Sequence, residues 1–175
     1  MFGLGKKGTD AVPKNIYDIE INKLDGTPLD LSALKGKKVM FVNVASKCGL
    51  TPQYEGLEKL HKEHGGQLEI IGLPCNQFAF QEPGGADQIA AFCEKNYGVS
   101  FTLTEKIKVL GKEQHDIYTW LTNKDVNGKF SSSVKWNFQK YLVSEDGVLV
   151  KKFAPTVEPM SNEVISEILP SINIS

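Results

Sequence analysis

Two stretches of the chain are apolar at nearly every position: Val39-Met40-Phe41-Val42-Asn43-Val44-Ala45 and Leu68-Glu69-Ile70-Ile71-Gly72-Leu73. Runs of this kind read as strands buried on both faces, as central parallel strands are. Between them, residues 53–64 place Tyr54, Leu57, Leu60, His61 and His64 at helical spacing, and Gly65-Gly66 stops the run. Strand, helix and strand in this length predict a βαβ unit with a right-handed crossover.

The flanking segments are less regular. Ile16 to Ile21 alternates and reads as a strand, with Asp25-Gly26 as a hairpin turn and Leu29 to Leu31 as the return. A polar and aromatic loop from Pro74 to Gly85 precedes a helix over 86–96, in which Ile89, Ala90, Phe92 and Cys93 share a face. Gln114 to Leu121 predicts another short helix, and Asn127-Gly128 a turn. Trp136 to Val143 and Val148 to Phe153 read as strands joined at Asp146-Gly147, and Ser161 is a natural N-cap for a closing helix over 161–169. Residues 1–13 are expected to form a flexible tail, and 14–175 a single domain. The order of elements resembles a thioredoxin-like fold: α/β, a central mixed sheet flanked by helices, with an added N-terminal β-hairpin and a helical insertion.

Composition narrows the function. Hydrophobic residues are 41% and charged residues 23%, with a formal net charge of -1, so nothing favours nucleic acid or stable membrane insertion. No apolar run reaches the length of a transmembrane helix. Three cysteines, Cys48, Cys75 and Cys93, do not form a secreted disulfide framework, and no C-x-x-C occurs. This fits a reducing, cytoplasmic compartment with thiols that are buried or used. His61 and His64 share a helix face without a third ligand nearby, so neither a metal nor another cofactor is expected. All 20 basic residues are lysine, so there is no arginine fork to hold an anionic small molecule.

Cys48 carries the strongest chemical signal. It lies between the first buried strand and the helix at 53–64. In that position backbone N–H groups and the helix dipole favour an anion, and the thiolate is the nucleophilic form of cysteine. Lys47 adds a neighbouring positive charge. Cysteine chemistry also needs donors for the sulfur and for a leaving oxygen. The loop after the second strand, containing Gln77 and Gln81, should meet the Cys48 loop at one edge of the sheet. Trp136 and Asn137 offer an indole N–H and an amide.

The segments Asn43-Val44-Ala45-Ser46-Lys47-Cys48-Gly49, Leu73-Pro74-Cys75-Asn76-Gln77-Phe78 and Trp136-Asn137-Phe138 resemble the three signature segments of glutathione peroxidases. The resemblance extends over roughly residues 15–170 and implies a peroxidase of the non-selenium type. It puts the peroxidatic residue at Cys48 and the site glutamine at Gln81 rather than Gln77, with Trp136 and Asn137 as the family's Trp-Asn pair. It further implies that Cys93 is the resolving cysteine of a thioredoxin-dependent branch. The missing arginines agree, because glutathione-using members carry arginines near the site. The short segment from Asn123 to Val134 resembles that of monomeric members.

The implied reaction reduces hydrogen peroxide and organic or lipid hydroperoxides. Cys48 becomes a sulfenic acid, Cys93 condenses with it, and a thioredoxin-like protein reduces the disulfide. The helix at 86–96 is expected to unwind during turnover, with Gly84-Gly85 as its hinge. Cys75 reads as a structural thiol. Rival readings are a redox relay that oxidises a client protein, a glutathione-dependent peroxidase and, more weakly, a cysteine hydrolase.

Overall fold

The computed structural model describes residues 8–170. Its centre is the βαβ unit: β1 (Lys38–Val44), α1 (Gln53–His64) and β2 (Leu68–Pro74). The two strands pair in parallel over seven positions, from Lys38 opposite Leu68 to Val44 opposite Pro74. β1 is buried from Val39 onward because it is covered on both faces. Val39 and Phe41 point into one core, while Met40, Val42 and Val44 point into the other, as the two-residue period of a strand requires.

The first of these cores holds the N-terminal segment and the helices α3 (Asp116–Thr122) and α4 (Lys124–Asn127). The second holds α1, α2 (Ala86–Tyr97) and α5 (Asn162–Ile168). The sheet has five strands in the order β3-β2-β1-β4-β5, with β3 at Thr102–Leu103, β4 at Lys140–Val143 and β5 at Leu149–Phe153. β3 runs parallel to β2, whereas β4 is antiparallel to β1 and β5 to β4. This mixed sheet between helical layers is the thioredoxin-like arrangement anticipated above. Ser161 caps α5, its hydroxyl accepting the Val164 N–H.

Four expectations need correction. Ile16 to Ile21 is not a strand. Ile16–Asp18 form a 3₁₀ turn capped by Asn15, and the hairpin shrinks to one bridge between Asn22 and Pro28. Burial alternates only over Ile19-Glu20-Ile21, and Ile16, Ile19 and Ile21 fill the first core. Of the expected tail at 1–13, residues 1–7 lie outside the described residues, while Val12 is buried in that core. The strand read over 136–143 begins only at Lys140, because Phe138 has a left-handed backbone (φ 66°) that a strand cannot hold. Ala90 is exposed, so α2 buries only Ile89 and Cys93.

β3 had no sequence signal, being two residues long. It depends on Gly72 in β2, where a Cβ would lie 2.8 Å from the Leu103 side chain. A glycine there lets the edge strand approach.

Candidate active site

Three loops gather at the end of β1. The first runs from Ala45 to Pro52 and is braced from inside by Thr51. The Thr51 hydroxyl donates to Ala45 O (2.8 Å) and accepts the Cys48 N–H (2.9 Å), while the Thr51 N–H bonds Cys48 O (3.0 Å). Cys48 is held this way at 8% exposure, and its sulfur accepts the Leu50 N–H at 3.3 Å. The donor therefore comes from the tight turn before α1, not from the helix's first turn. Pro52 sits at the N-cap and has no N–H to give. Lys47 is exposed.

The second loop, 75–85, is fastened to the first. The Lys47 N–H donates to Gln81 O (3.0 Å), and the Cys75 N–H to Val44 O (3.2 Å). Asn76 closes the loop by accepting the Glu82 N–H (3.0 Å). Ala79 and Phe80 both adopt φ 53°, and this left-handed pair turns the chain so that Phe80 stands 78% exposed. Gln77 is fully occupied elsewhere. Its Oε1 accepts the N–H groups of Val109 and Leu110, and its Nε2 donates to Leu110 O. It pins the 107–111 segment, which leaves Gln81 as the amide at the Cys48 side.

The third loop, 136–138, docks through Asn43, the single polar residue of β1's buried run. Asn43 Nδ2 donates to Trp136 O (3.0 Å) and Asn43 O accepts the Phe138 N–H (2.7 Å). The Phe138 ring meets Tyr54 of α1 edge-on at 5.4 Å. Asn137 is completely buried and donates from Nδ2 to Gln81 Oε1 at 2.9 Å, joining the second and third loops directly. That bond leaves the two Gln81 amide hydrogens for another acceptor. Trp136 stacks at a tilt on Phe78, 5.5 Å between centroids, and keeps 36% of its surface exposed. Gln81, Trp136 and Asn137 thus come together and are tied to either side of the Cys48 turn.

The other two thiols lie on opposite faces of the sheet. Cys93 shares the second core with Cys48, whereas Cys75 is buried in the first beside Gln77. All three are free. Burial pushes the Cys93 thiol up to about 11, and burial raises Cys75 as well. Neither is a ready nucleophile where it sits. The Tyr54 hydroxyl is buried near Cys93 and favours its thiolate, but makes no hydrogen bond of ordinary geometry. Sequence reasoning passed over Glu82. Its carboxylate is 1% exposed, Oε1 accepts the Ser46 hydroxyl at 2.6 Å, and Oε2 has no partner. No spacing rule marks this residue, and only burial reveals it. Asn43 did leave a trace, as a polar interruption in an apolar run.

Among the described residues, no group of three or more His, Cys, Asp or Glu is placed to hold a metal, and no helix is long and apolar enough to cross a membrane. The sequence pattern of the family described as glutathione peroxidase matches residues 16–122. A protein of Lactococcus lactis named glutathione peroxidase is 50% identical over 150 residues, covering 85% of this chain and 95% of its own. The glutathione peroxidase-like peroxiredoxin 2 of Saccharomyces cerevisiae is 43% identical over 148 residues, covering 84% and 91%. Among solved structures, that of T. cruzi GPX1 superposes with a TM-score of 0.67 at 31% identity, covering 87% of this chain and 92% of that one.

Proposed function

The chain belongs to the glutathione peroxidase family and is a thiol peroxidase that reduces hydroperoxides; from this we propose that Cys48 is the peroxidatic residue and Cys93 its resolving partner. The Cys48 thiolate attacks the distal oxygen of the hydroperoxide, the O–O bond breaks, and the leaving alkoxide or hydroxide takes a proton to depart as alcohol or water. Cys48 is left as a sulfenic acid. The turn amide of Leu50 stabilises the thiolate, and the amide hydrogens of Gln81 and the indole N–H of Trp136 serve the departing oxygen. Asn137 is a positioning residue, because its bond to Gln81 Oε1 turns the Gln81 donors outward.

The reductant is a thioredoxin-like protein. The observation that carries this reading is that Cys48 and Cys93 lie in the same core on one side of the sheet, in a chain with no arginine. Cys93 condenses with the sulfenic acid, and the reductant opens the disulfide by thiol exchange. A disulfide requires Cα atoms within about 7 Å, and α2 holds Cys93 mid-helix, so the helix unwinds from the Gly84-Gly85 end. Three free thiols support a reducing, cytoplasmic location, and the short 123–134 segment supports a monomer. The substrates are hydrogen peroxide and organic or lipid hydroperoxides.

The test is peroxide consumption measured in parallel with glutathione and with thioredoxin plus its reductase. With thioredoxin, Cys93→Ser should lose at least about 10²-fold in turnover while its Cys48 is still oxidised once by peroxide. Full thioredoxin-driven turnover in that variant, or faster turnover of the wild type with glutathione, would refute the two-cysteine cycle.

A further inference from the structure

A buried carboxylate with one unpartnered oxygen lies where the Cys48 loop and α2 border one cavity. Glu82 is bound to the Cys48 loop at one point, its carboxylate to Ser46, two residues before Cys48, while its N–H closes its own loop on Asn76. It lies immediately before the Pro83-Gly84-Gly85 stretch from which α2 starts. It also lines a cavity of about 380 Å³ that separates the Cys48 loop from α2. Its lining includes Ser46, Lys47 and Glu82 together with Ile89 and Phe92 of α2. Cys93 is one turn beyond Ile89 on the same helix face, and both are buried in the second core. In the proposed opening of α2, Glu82 stays tied to Ser46, beside the cavity that Ile89, on the Cys93 face of the helix, also lines.

We propose that Glu82 is the base of the resolving step, taking the Cys93 thiol proton through its unpartnered Oε2. The proposal rests on the Cys48–Cys93 cycle and adds the proton path that this cycle needs. The Cys93 sulfur attacks the Cys48 sulfenic sulfur while its proton passes to the Glu82 carboxylate. The S–S bond forms as the S–O bond breaks, and the Glu82 proton is handed to the departing hydroxide to give water. Cys93 is oxidised, the sulfenic sulfur is reduced, and Glu82 returns to its carboxylate.

The surroundings suit that task. A thiol near 11 is almost entirely protonated at neutral pH, so its proton must be removed during attack. Burial raises the Glu82 carboxyl, making it a better base, while the Ser46 bond and the charge of Lys106 oppose that shift and favour the carboxylate. Lys47 is the cation on the cavity wall. Cys93, Cys75 and Tyr54 are the other titratable groups within electrostatic reach of Glu82, and their ionised forms are disfavoured by it. Glu82 has no other evident use in peroxide attack, where the donors come from Leu50, Gln81 and Trp136.

The experiment follows one turnover of the full chain by rapid mixing with hydrogen peroxide. Cys48 sulfenic acid and the Cys48–Cys93 disulfide are quantified by mass spectrometry after a thiol-trapping quench, from pH 5 to 9. In the wild type, the sulfenic acid should decay to disulfide at a rate that falls as pH drops through the raised carboxyl value. In Glu82→Gln the sulfenic acid should accumulate and disulfide formation should slow by about 10²-fold, with a rate that climbs with pH instead of levelling off. Ser46→Ala keeps the carboxylate but removes a donor that favours it, so the acid limb should move to higher pH. This variant covers any loss of folding in Glu82→Gln, and a purely structural role would not move that limb. Disulfide formation in folded Glu82→Gln at the wild-type rate, or an unmoved acid limb in Ser46→Ala, overturns the assignment. If the wild type forms no Cys48–Cys93 disulfide at all, the cycle itself fails and this role with it, so the two failures are distinct.

Discussion

The helices α1 and α2 are each 12 residues long, lie in the same core and carry the two halves of the proposed chemistry, yet they are held very differently. α1 buries Gln53, Tyr54, Leu57, Glu58 and Leu60 and is strung between two strands that pair along their whole length. α2 buries Ile89 and Cys93 alone and hangs between a loop and a two-residue edge strand. A fully buried Leu contributes roughly 1.5–3 kcal/mol, so α1 has several such anchors where α2 has one apolar residue and a thiol. Ring contacts of Tyr97 with Tyr54 and Phe92, and the left-handed Gly98 that ends the helix, hold the C-terminal turn of α2 more firmly than its start. A nucleophile must be kept in place among its donors, and Cys48 borders the firm helix. A resolving thiol must travel, and the proposed one, Cys93, is on the loose helix.

Hydrogen exchange should expose the largest difference. In the reduced protein the α2 amides should exchange at least about 10²-fold faster than those of α1, with the gap widening after oxidation. Equal protection of α2 in reduced and oxidised protein would remove the local opening on which the cycle depends.

The next effect concerns the anchor of α1. Lys140 of β4 is fully buried and donates to Gln53 Oε1 (2.7 Å), Pro155 O (3.0 Å) and Val157 O, so it clamps the start of α1 to the segment after β5. Burial pushes its ammonium down to about 8, with Glu158 opposing. Lys140→Met leaves Gln53 Oε1 and Val157 O without this donor, at ~1–3 kcal/mol each before relaxation, while Pro155 O keeps the Gln53 Nε2 donor. The expected result is a global loss of about 2–4 kcal/mol in urea unfolding. A loss below about 1 kcal/mol would mean that α1 does not depend on this clamp.

The smallest effect belongs to α2. Ile89→Val should cost ~0.5–1.5 kcal/mol, felt mainly as easier opening of the helix. Disulfide formation after peroxide should then run about 2–10-fold faster, read in single-turnover traces. A slower or unchanged rate would show that unpacking Ile89 is not part of the resolving step.

Much of this contrast was legible in the chain, and the reasons differ by element. β1, α1 and β2 were read to within a residue because continuous apolar runs and a 3.6-residue repeat are local patterns. α2 was located equally well, but its shared apolar face misplaced Ala90, which is exposed. Periodicity shows which residues share a face, not whether a neighbour covers it. The strand read at 136–139 failed for a related reason. Trp136-Asn137-Phe138 has strand-like composition, yet the bond from the Phe138 N–H to Asn43 O, made across 95 positions of sequence, holds it in a turn. In the candidate site, composition does not separate Gln77 from Gln81; the family resemblance chose Gln81, and in the structure Gln77 is held by Val109 and Leu110.

By itself the sequence determined the βαβ core, the thiol at its strand-to-helix junction and the absence of any arginine near it, because each is a property of local order or of composition. Tertiary structure decided what surrounds that thiol. The donor to its sulfur is a turn amide, the Gln81 amide is oriented by Asn137, Cys93 lies on the same side of the sheet while Cys75 lies on the other, and Glu82 is sealed between two loops. Those are contacts between residues distant in the chain. Their energies depend on burial and on hydrogen-bond geometry, which exist only once the chain has packed.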